Sequence, residues 1–306
     1  MSDSVGENTS CGYVAVIGAP NAGKSTLINA IIGAKISIVS PKVQTTRTRV
    51  MGIAMQGDCQ IIFIDTPGIF QAGEKKKLER AMVAAAWEGT VDADAIILLV
   101  DASRGLSKDV RAIIEKLANN PTQKVALTLN KIDKMKPEAL LKLAAEMNEI
   151  FDFEATFMIS ALKEKGFKEL VAYAAKKMPA GPYMYPEDHI TDMPMRLMAA
   201  ELTREKLFLA LRQELPYELT VETESWEEFA DGSVKIDQTI FVAREGHKKI
   251  ILGQGGAMIK KIGQQAREEL EEIMEQRVHL KLFVKVRENW MDKPEHFTLW
   301  GLDNKA

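Results

Sequence analysis

The chain has 306 residues, a formal net charge of −3 and 46% hydrophobic residues, enough for one large domain or two ordinary ones with real cores. A nearly balanced charge excludes a globally basic coat, so any nucleic-acid surface must be local. Two cysteines, Cys11 and Cys59, are too few for a disulfide framework and match no metal spacing, and the longest apolar runs, such as Ala95 to Val100, fall far short of the ~20 residues of a membrane helix.

Met1 to Asn8 is short, polar and acidic and reads as a frayed start with no signal peptide, so residues 1–11 are expected to be flexible. From 12 to 178, short apolar runs alternate with helical patterns, which predicts an α/β domain: a mainly parallel sheet with helices on both faces. Strands are expected at Tyr13 to Ile17, Val50 to Gln56, Gln60 to Ile64, Ala95 to Val100, Lys124 to Leu129 and Thr156 to Ile159. Helices are expected at Lys24 to Ile32, Lys77 to Thr90, Ser107 to Asn119, Pro137 to Ile150 and Gly166 to Lys177.

Between the first strand and first helix lies Gly18-Ala19-Pro20-Asn21-Ala22-Gly23-Lys24-Ser25, followed by Thr26. It reads as a P-loop: inward-pointing amides and the helix N-terminus face the phosphates, Lys24 adds a point charge, and Ser25 offers a hydroxyl to Mg²⁺. Asp65-Thr66-Pro67-Gly68 follows the third strand, where Asp65 can hold a water of the Mg²⁺ shell and Gly68 can offer an N–H to a γ-phosphate. Asn130-Lys131-Ile132-Asp133 ends the fifth strand. A carboxylate at Asp133 accepts from guanine N1–H and its 2-amine, which adenine cannot match; Asn130 can tie this loop to the P-loop and the Lys131 stem can cover the ring. Ser160-Ala161-Leu162 would add an N–H to the guanine O6.

Lys35 to Arg49 reads as a switch loop in which Thr45 or Thr46, with Thr46 preferred, closes on Mg²⁺ and the γ-phosphate. Gly68 to Lys77 would form a second switch, and Lys75-Lys76-Lys77 is either a solvated face or a partner contact. Lys24, Thr46 and Gly68 are thus the residues expected to act on the reacting phosphate, and Ser25, Thr46 and Asp65 those expected at the metal.

Pro179, Gly181, Pro182, Pro186 and Pro194 break any helix, so 179–194 is expected to be a linker and 195–306 a second, RNA-binding domain with a C-terminal extension. Its expected order is a helix Met195 to Gln213, strands Tyr217 to Glu224 and Ile236 to Ala243, a short helix from Gly246, the loop Gly253-Gln254-Gly255-Gly256, a helix Ala257 to Gln276 and a strand Val278 to Val286. A Gly-x-x-Gly loop between two helices lets a sugar-phosphate backbone approach main chain, although the same tetrapeptide also serves as a plain turn. Arg244, Lys248, Lys249, Lys260, Lys261 and Arg267 surround it, with Glu245 the only acid between Arg244 and Arg267. Glu214 to Asp231 is acidic with no basic residue, so one edge attracts phosphates and another repels them. Trp290 and Trp300 could stack bases or simply pack.

The five N-terminal motifs, in this order, resemble the translation-factor-related GTPases, and the second half resembles a type II KH domain. Lys42-Val43-Gln44-Thr45-Thr46-Arg47 and Phe283 to Trp290 are similar to the bacterial GTPases that join these two units. That resemblance implies a GTP/GDP-binding, Mg²⁺-dependent switch that binds the 3′ end of small-subunit (16S) ribosomal RNA and assists assembly of the 30S subunit. It implies a cytoplasmic monomer, with a peripheral contact at the inner membrane as a further expectation. Ile69 stands where Ras-like enzymes have a water-positioning glutamine. Relatives with an asparagine at the position of Asn21 use a nearby K⁺ ion in place of an arginine finger; the other reading of Asn21 is a turn residue. Alternatives are a large-subunit assembly GTPase of the Der type, which normally shows two P-loops where this chain has one, a membrane-associated switch using the basic patch on acidic lipids, and an RNA-binding module with a degenerate nucleotide site.

Overall fold

The computed structural model describes residues 9–42, 45–47, 49–70, 77–119, 124–288 and 290. They divide into two compact units, one holding 9–37 and 46–192, the other 38–45 and 193–290.

In the first unit, the strands are β1 (Ser10–Ile17), β2 (Val50–Gln56), β3 (Cys59–Asp65), β4 (Ala95–Asp101), β5 (Val125–Asn130) and β6 (Ala155–Met158). They form one sheet in the order β2-β3-β1-β4-β5-β6, parallel throughout except that β2 runs antiparallel to β3. Every residue of β3, β4 and β5 is buried, the signature of a sheet covered on both faces. Each fully buried Ile, Leu or Val there contributes roughly 1.5–3 kcal/mol. The covering helices are α1 (Lys24–Ile32), α2 (Lys77–Val91), α3 (Lys108–Ala118), α4 (Pro137–Ile150) and α5 (Phe167–Ala175). The α3 helix shows the local logic: Ser107 accepts from Val110 N–H at 3.3 Å as its N-cap, and Val110, Ile113, Ile114 and Leu117 bury one face in the sheet core. α5 starts one residue later than its apolar pattern suggests, because Gly166 takes a left-handed conformation (φ 79°) at the N-cap.

Residues 179–192 lie along the edge of this unit. Cys11 N–H donates to the Pro179 carbonyl (3.1 Å) and Ile53 N–H to that of Ile190 (2.9 Å). The buried side chain of Gln60 accepts from Met184 and Tyr185 amides at 2.9 and 3.0 Å and donates to the Tyr185 carbonyl at 2.8 Å.

The second unit contains α6 (Met195–Ala210), β7 (Leu219–Glu228), β8 (Val234–Val242), α7 (Glu245–Leu252), α8 (Ala257–Met274) and β9 (Val278–Val286). Its sheet has the order β7-β8-β9, with β7 antiparallel and β9 parallel to β8. α6 ends at Ala210, earlier than the Gln213 its sequence suggests, because Leu211 is extended (ψ 161°) and Gln213 is left-handed (φ 56°). Its core joins Leu207, Leu219, Ile240, Ile251, Ile262 and Val284. Among the described residues, no helix is long and apolar enough to cross a membrane.

Candidate functional site

The carboxyl ends of the parallel strands gather the sequence motifs at one edge of the first sheet. After β1, the chain turns through Gly18 to Gly23 into α1, whose first three residues are Lys24, Ser25 and Thr26. Gly23, at φ 101°, occupies the N-cap with no side-chain hydrogen bond, so no side chain competes for the first-turn amides. A Cβ on Gly18 would stand 2.3 Å from the Leu99 carbonyl oxygen, and one on Gly23 would stand 2.4 Å from Asn130 Nδ2. The glycines are therefore needed by neighbouring protein as well as by any phosphate.

Lys24 is 6% exposed and donates to the Gly18 and Ala19 carbonyls at 3.1 and 3.3 Å. Burial lowers its pKa to about 8, with nearby Asp65 opposing the shift. Asp65 ends β3 fully buried, and burial raises its carboxyl above the ordinary range. Its Oδ2 accepts from Ser25 Oγ (2.7 Å) and lies 3.5 Å from Thr46 Oγ1, which is itself 2.9 Å from Ser25 Oγ. Among the described residues, Asp65 Oδ1 is buried and accepts no hydrogen bond of good geometry, although the nearby Ser37 hydroxyl opposes the upward shift of its carboxyl. Two hydroxyls and a half-partnered carboxylate form an all-oxygen donor set that fits Mg²⁺, directly or through water. Of the two candidate threonines it is Thr46 that meets Ser25, whereas Thr45 donates its hydroxyl to the Lys42 carbonyl at 2.8 Å.

Thr66 donates to the Val16 carbonyl at 2.8 Å, Pro67 is buried, and Gly68 lies so close to Pro20 that a Cβ would stand 2.9 Å from its Cα. Ile69 donates its amide to the Gly18 carbonyl at 3.0 Å and is buried in the sheet core. The side chain after Gly68 thus packs inward and cannot orient water. Asn21 takes a left-handed backbone (φ 63°), and Ala22 is buried.

Asn130, 2% exposed, joins three loops. Its Nδ2 donates to the Ala22 carbonyl at 2.8 Å, and its Oδ1 accepts from Lys131 N–H (2.8 Å) and Ala161 N–H (3.0 Å). Asp133 accepts from Ser160 Oγ at 2.6 Å, a bond that holds its carboxyl below the usual range. Ala161 is buried and Leu162 is 75% exposed. Sequence reasoning missed Asp101, the last residue of β4, whose Oδ2 accepts from Lys131 Nζ at 2.7 Å. An aspartate closing a wholly apolar strand at the ligand end of the sheet was the available signal.

In the second unit, Gly253 (φ 70°) ends α7 and Gly256 (φ 79°) starts α8, with Gly255 (φ 58°) between them. A Cβ on Gly253 would stand 2.8 Å from Met258 Cβ, whereas Gly255 and Gly256 face open space. Gln254, Gly255, Lys249, Lys260 and Lys261 are exposed, and Lys248 is half-buried. Lys248, Lys249 and Lys260 make no ion pair among the described residues. Arg244 is paired with Glu218 at 3.4 Å and donates to His247, and Arg267 is paired along α8 with Glu271 at 3.2 Å. Trp290 packs fully buried and donates to the Glu218 carbonyl at 3.2 Å; Trp300 and Lys75-Lys76 lie outside the described residues.

A family model described as a 50S ribosome-binding GTPase matches residues 13–131, and a KH-domain model matches 214–291. GTPase Era of Dinoroseobacter shibae is 56% identical over 297 residues, 96% of each chain. GTPase Era of Rhizobium meliloti is 58% identical over 295 residues, 96% of this chain and 93% of the relative. Among solved structures, Era in complex with MgGDPNP and nucleotides 1506–1542 of 16S ribosomal RNA is similar at TM-score 0.91 and 39% identity, over 96% of this chain and 99% of that one. An Aquifex aeolicus Era variant bound to GDP·AlF4⁻ is similar at 0.91 and 38%, with the same coverage. A P-loop, the Asn130 to Asp133 loop beside it and a Gly-x-x-Gly loop on the second unit, together with identity sustained over nearly the whole length, place this chain in the Era family of GTPases.

Proposed function

We propose that the chain is a GTP-hydrolysing switch that binds the 3′ end of small-subunit (16S) ribosomal RNA in the cytoplasm and assists assembly of the 30S subunit. The observation that carries this reading is the meeting of Ser25, Thr46 and half-partnered Asp65 at the foot of the P-loop, in a chain similar throughout to an Era solved with MgGDPNP and 16S RNA. Asp133 reads guanine through two accepted hydrogen bonds, with Asn130 and Ser160 holding its loop in place. Ala161 and Leu162 border the base, and Lys131 lays its stem over the ring. Gly18, Asn21, Ala22, Gly23 and Thr26 line the phosphates, with Thr66 and Pro67 setting the chain path to Gly68.

Mg²⁺ held by Ser25 and Thr46, with Asp65 behind a water, would neutralise phosphate charge. Lys24 adds charge on the same oxygens, and the Gly68 amide marks the γ-phosphate position. Because Thr46 sits on the switch segment, its ordering distinguishes triphosphate from diphosphate. With Ile69 buried, K⁺ held near Asn21 would supply the charge compensation that a side chain supplies elsewhere. On the second unit, the Gly253 to Gly256 main chain receives the RNA backbone, while Arg244, Lys248, Lys249, Lys260 and Lys261 supply the surrounding positive field. Arg244 contributes least, since Glu218 already holds it.

Phosphate release from GTP and ATP, measured in parallel on the full chain in K⁺, tests the catalytic half. Release from GTP alone, abolished in Lys24→Ala, supports the reading; equal release from both nucleotides would refute the assignment of Asp133. For the RNA half, vesicles of anionic lipid and a 16S 3′-end oligonucleotide are offered to the same protein. Retention by lipid and not RNA would reassign the basic face.

A further inference from the structure

The Lys131 ammonium is held far more tightly than covering a base requires. Lys131 has a left-handed backbone (φ 64°), and its Nζ reaches both the Asn21 carbonyl at 2.6 Å and Asp101 Oδ2 at 2.7 Å. One ammonium therefore joins the end of β4, the end of β5 and the P-loop. Asp101 is built to hold it. Its second oxygen accepts from Ser103 N–H (3.0 Å) and Ser103 Oγ (2.6 Å), so the carboxylate cannot rotate away. Asp101 is paired with Asn130 across the β4–β5 ladder, and Ala102 N–H donates to the Asn130 carbonyl at 2.9 Å, which fixes the aspartate beside the base-reading loop. Arg104, the other cation in reach, is 63% exposed and 3.8 Å distant. Burial alone would raise the Asp101 carboxyl; hydrogen bonds from Lys131 and Ser103 outweigh it and the net direction is down, as for a carboxylate held charged.

We propose that Asp101 is a positioning residue for the guanine nucleotide: by pinning the Lys131 ammonium against the Asn21 carbonyl, it lays the lysine stem over the base and locks the phosphate loop to the base loop. This rests on the guanine reading of the site. Asp101 touches no reacting atom, so its effect falls on how long nucleotide stays bound. Residence depends on both loops holding together, and a charge-assisted bond between them opposes their parting.

The test is a double-mutant cycle on the full chain, with the dissociation rate of a fluorescent GDP followed after a chase with unlabelled GDP. Asp101→Asn keeps the side-chain shape and removes the charge, and Lys131→Met keeps the apolar stem and removes the ammonium. Asp101→Asn is expected to speed dissociation about tenfold and Lys131→Met at least as much, since it also loses the Asn21 bond; the pair together should be no faster than Lys131→Met alone, because both remove the Lys131–Asp101 bond. Ser103→Ala, which removes the hydroxyl bond to the carboxylate and leaves the backbone N–H one, is expected to give about a two- to threefold increase. A double variant about tenfold faster than Lys131→Met alone would overturn the inference, since the residues would then act separately. So would an unchanged rate in Asp101→Asn accompanied by a lower melting temperature of the nucleotide-free protein, the mark of a purely structural role. Failure of the unsubstituted chain to prefer GDP over ADP would remove the guanine reading itself, and the inference with it.

Discussion

Asn130 donates its side-chain amide to the Ala22 carbonyl at 2.8 Å, fastening the end of β5 to the P-loop from inside the protein. The same side chain accepts from Lys131 and Ala161, so one residue organises three loops. Asn130→Ala removes all three bonds and leaves buried groups unpaired, at about 1–3 kcal/mol for each. GDP affinity, measured by fluorescence titration, should fall at least a hundredfold, with a lower melting temperature. Gly23→Ala should act on the same fastening from the other side, since its Cβ would strike Asn130 Nδ2.

Asp133 owes its low pKa first to Ser160. A carboxyl whose pKa is lowered stays charged, and able to accept from guanine, to lower pH than an ordinary aspartate. The stability this bond adds is present above the unfolded-state pKa and is lost as pH falls through the folded one. In Ser160→Ala the pH at which GDP affinity is half lost should therefore move upward toward the ordinary aspartate range. An unmoved acid limb would separate Ser160 from the base site.

Ile69 is 6% exposed in the sheet core, so Ile69→Ala should destabilise by about 2–4 kcal/mol in denaturant titration. Replacing it with glutamine should not raise hydrolysis, because the side chain packs inward. Rate compensation is expected instead from the ion near Asn21: K⁺ should stimulate GTP hydrolysis where Na⁺ does not, and Asn21→Ala should remove the difference. Equal rates in the two salts would eliminate this device.

Gly253 combines φ 70° with Met258 Cβ at 2.8 Å from any added Cβ, whereas Gly256 has only the backbone restriction. Gly253→Ala should lower the melting temperature of the second unit, and Gly256→Ala should lower it less. Both should weaken binding of single-stranded RNA; calorimetry and filter binding report the two effects separately.

The P-loop, Asp65 to Gly68 and Asn130 to Asp133 were legible because each is contiguous and follows an apolar strand whose end the sheet points at the ligand. The strands themselves were legible because a sheet covered on both faces demands unbroken apolar runs, as in Ala95 to Val100. What pairing distant segments creates was not. Gln60 lies on β3 in sequence as one polar residue among apolar ones, and only the fold reveals that it holds Met184 and Tyr185. Asp101 needed Lys131 beside it, and Arg244 counted toward a basic cluster until Glu218 was placed against it. Arg267 counted toward the same cluster, although its spacing of four from Glu271 along a helix was a signal of the pair.

The most direct test of a nucleotide-gated RNA switch is binding of a labelled oligonucleotide matching the 3′ end of 16S ribosomal RNA, with a GTP analogue, with GDP and with neither, at one salt concentration. Tight binding favoured by the analogue, and lost when Gly253 and Gly256 are both changed to aspartate, is the predicted result. Binding indifferent to nucleotide and to that loop would contradict the account.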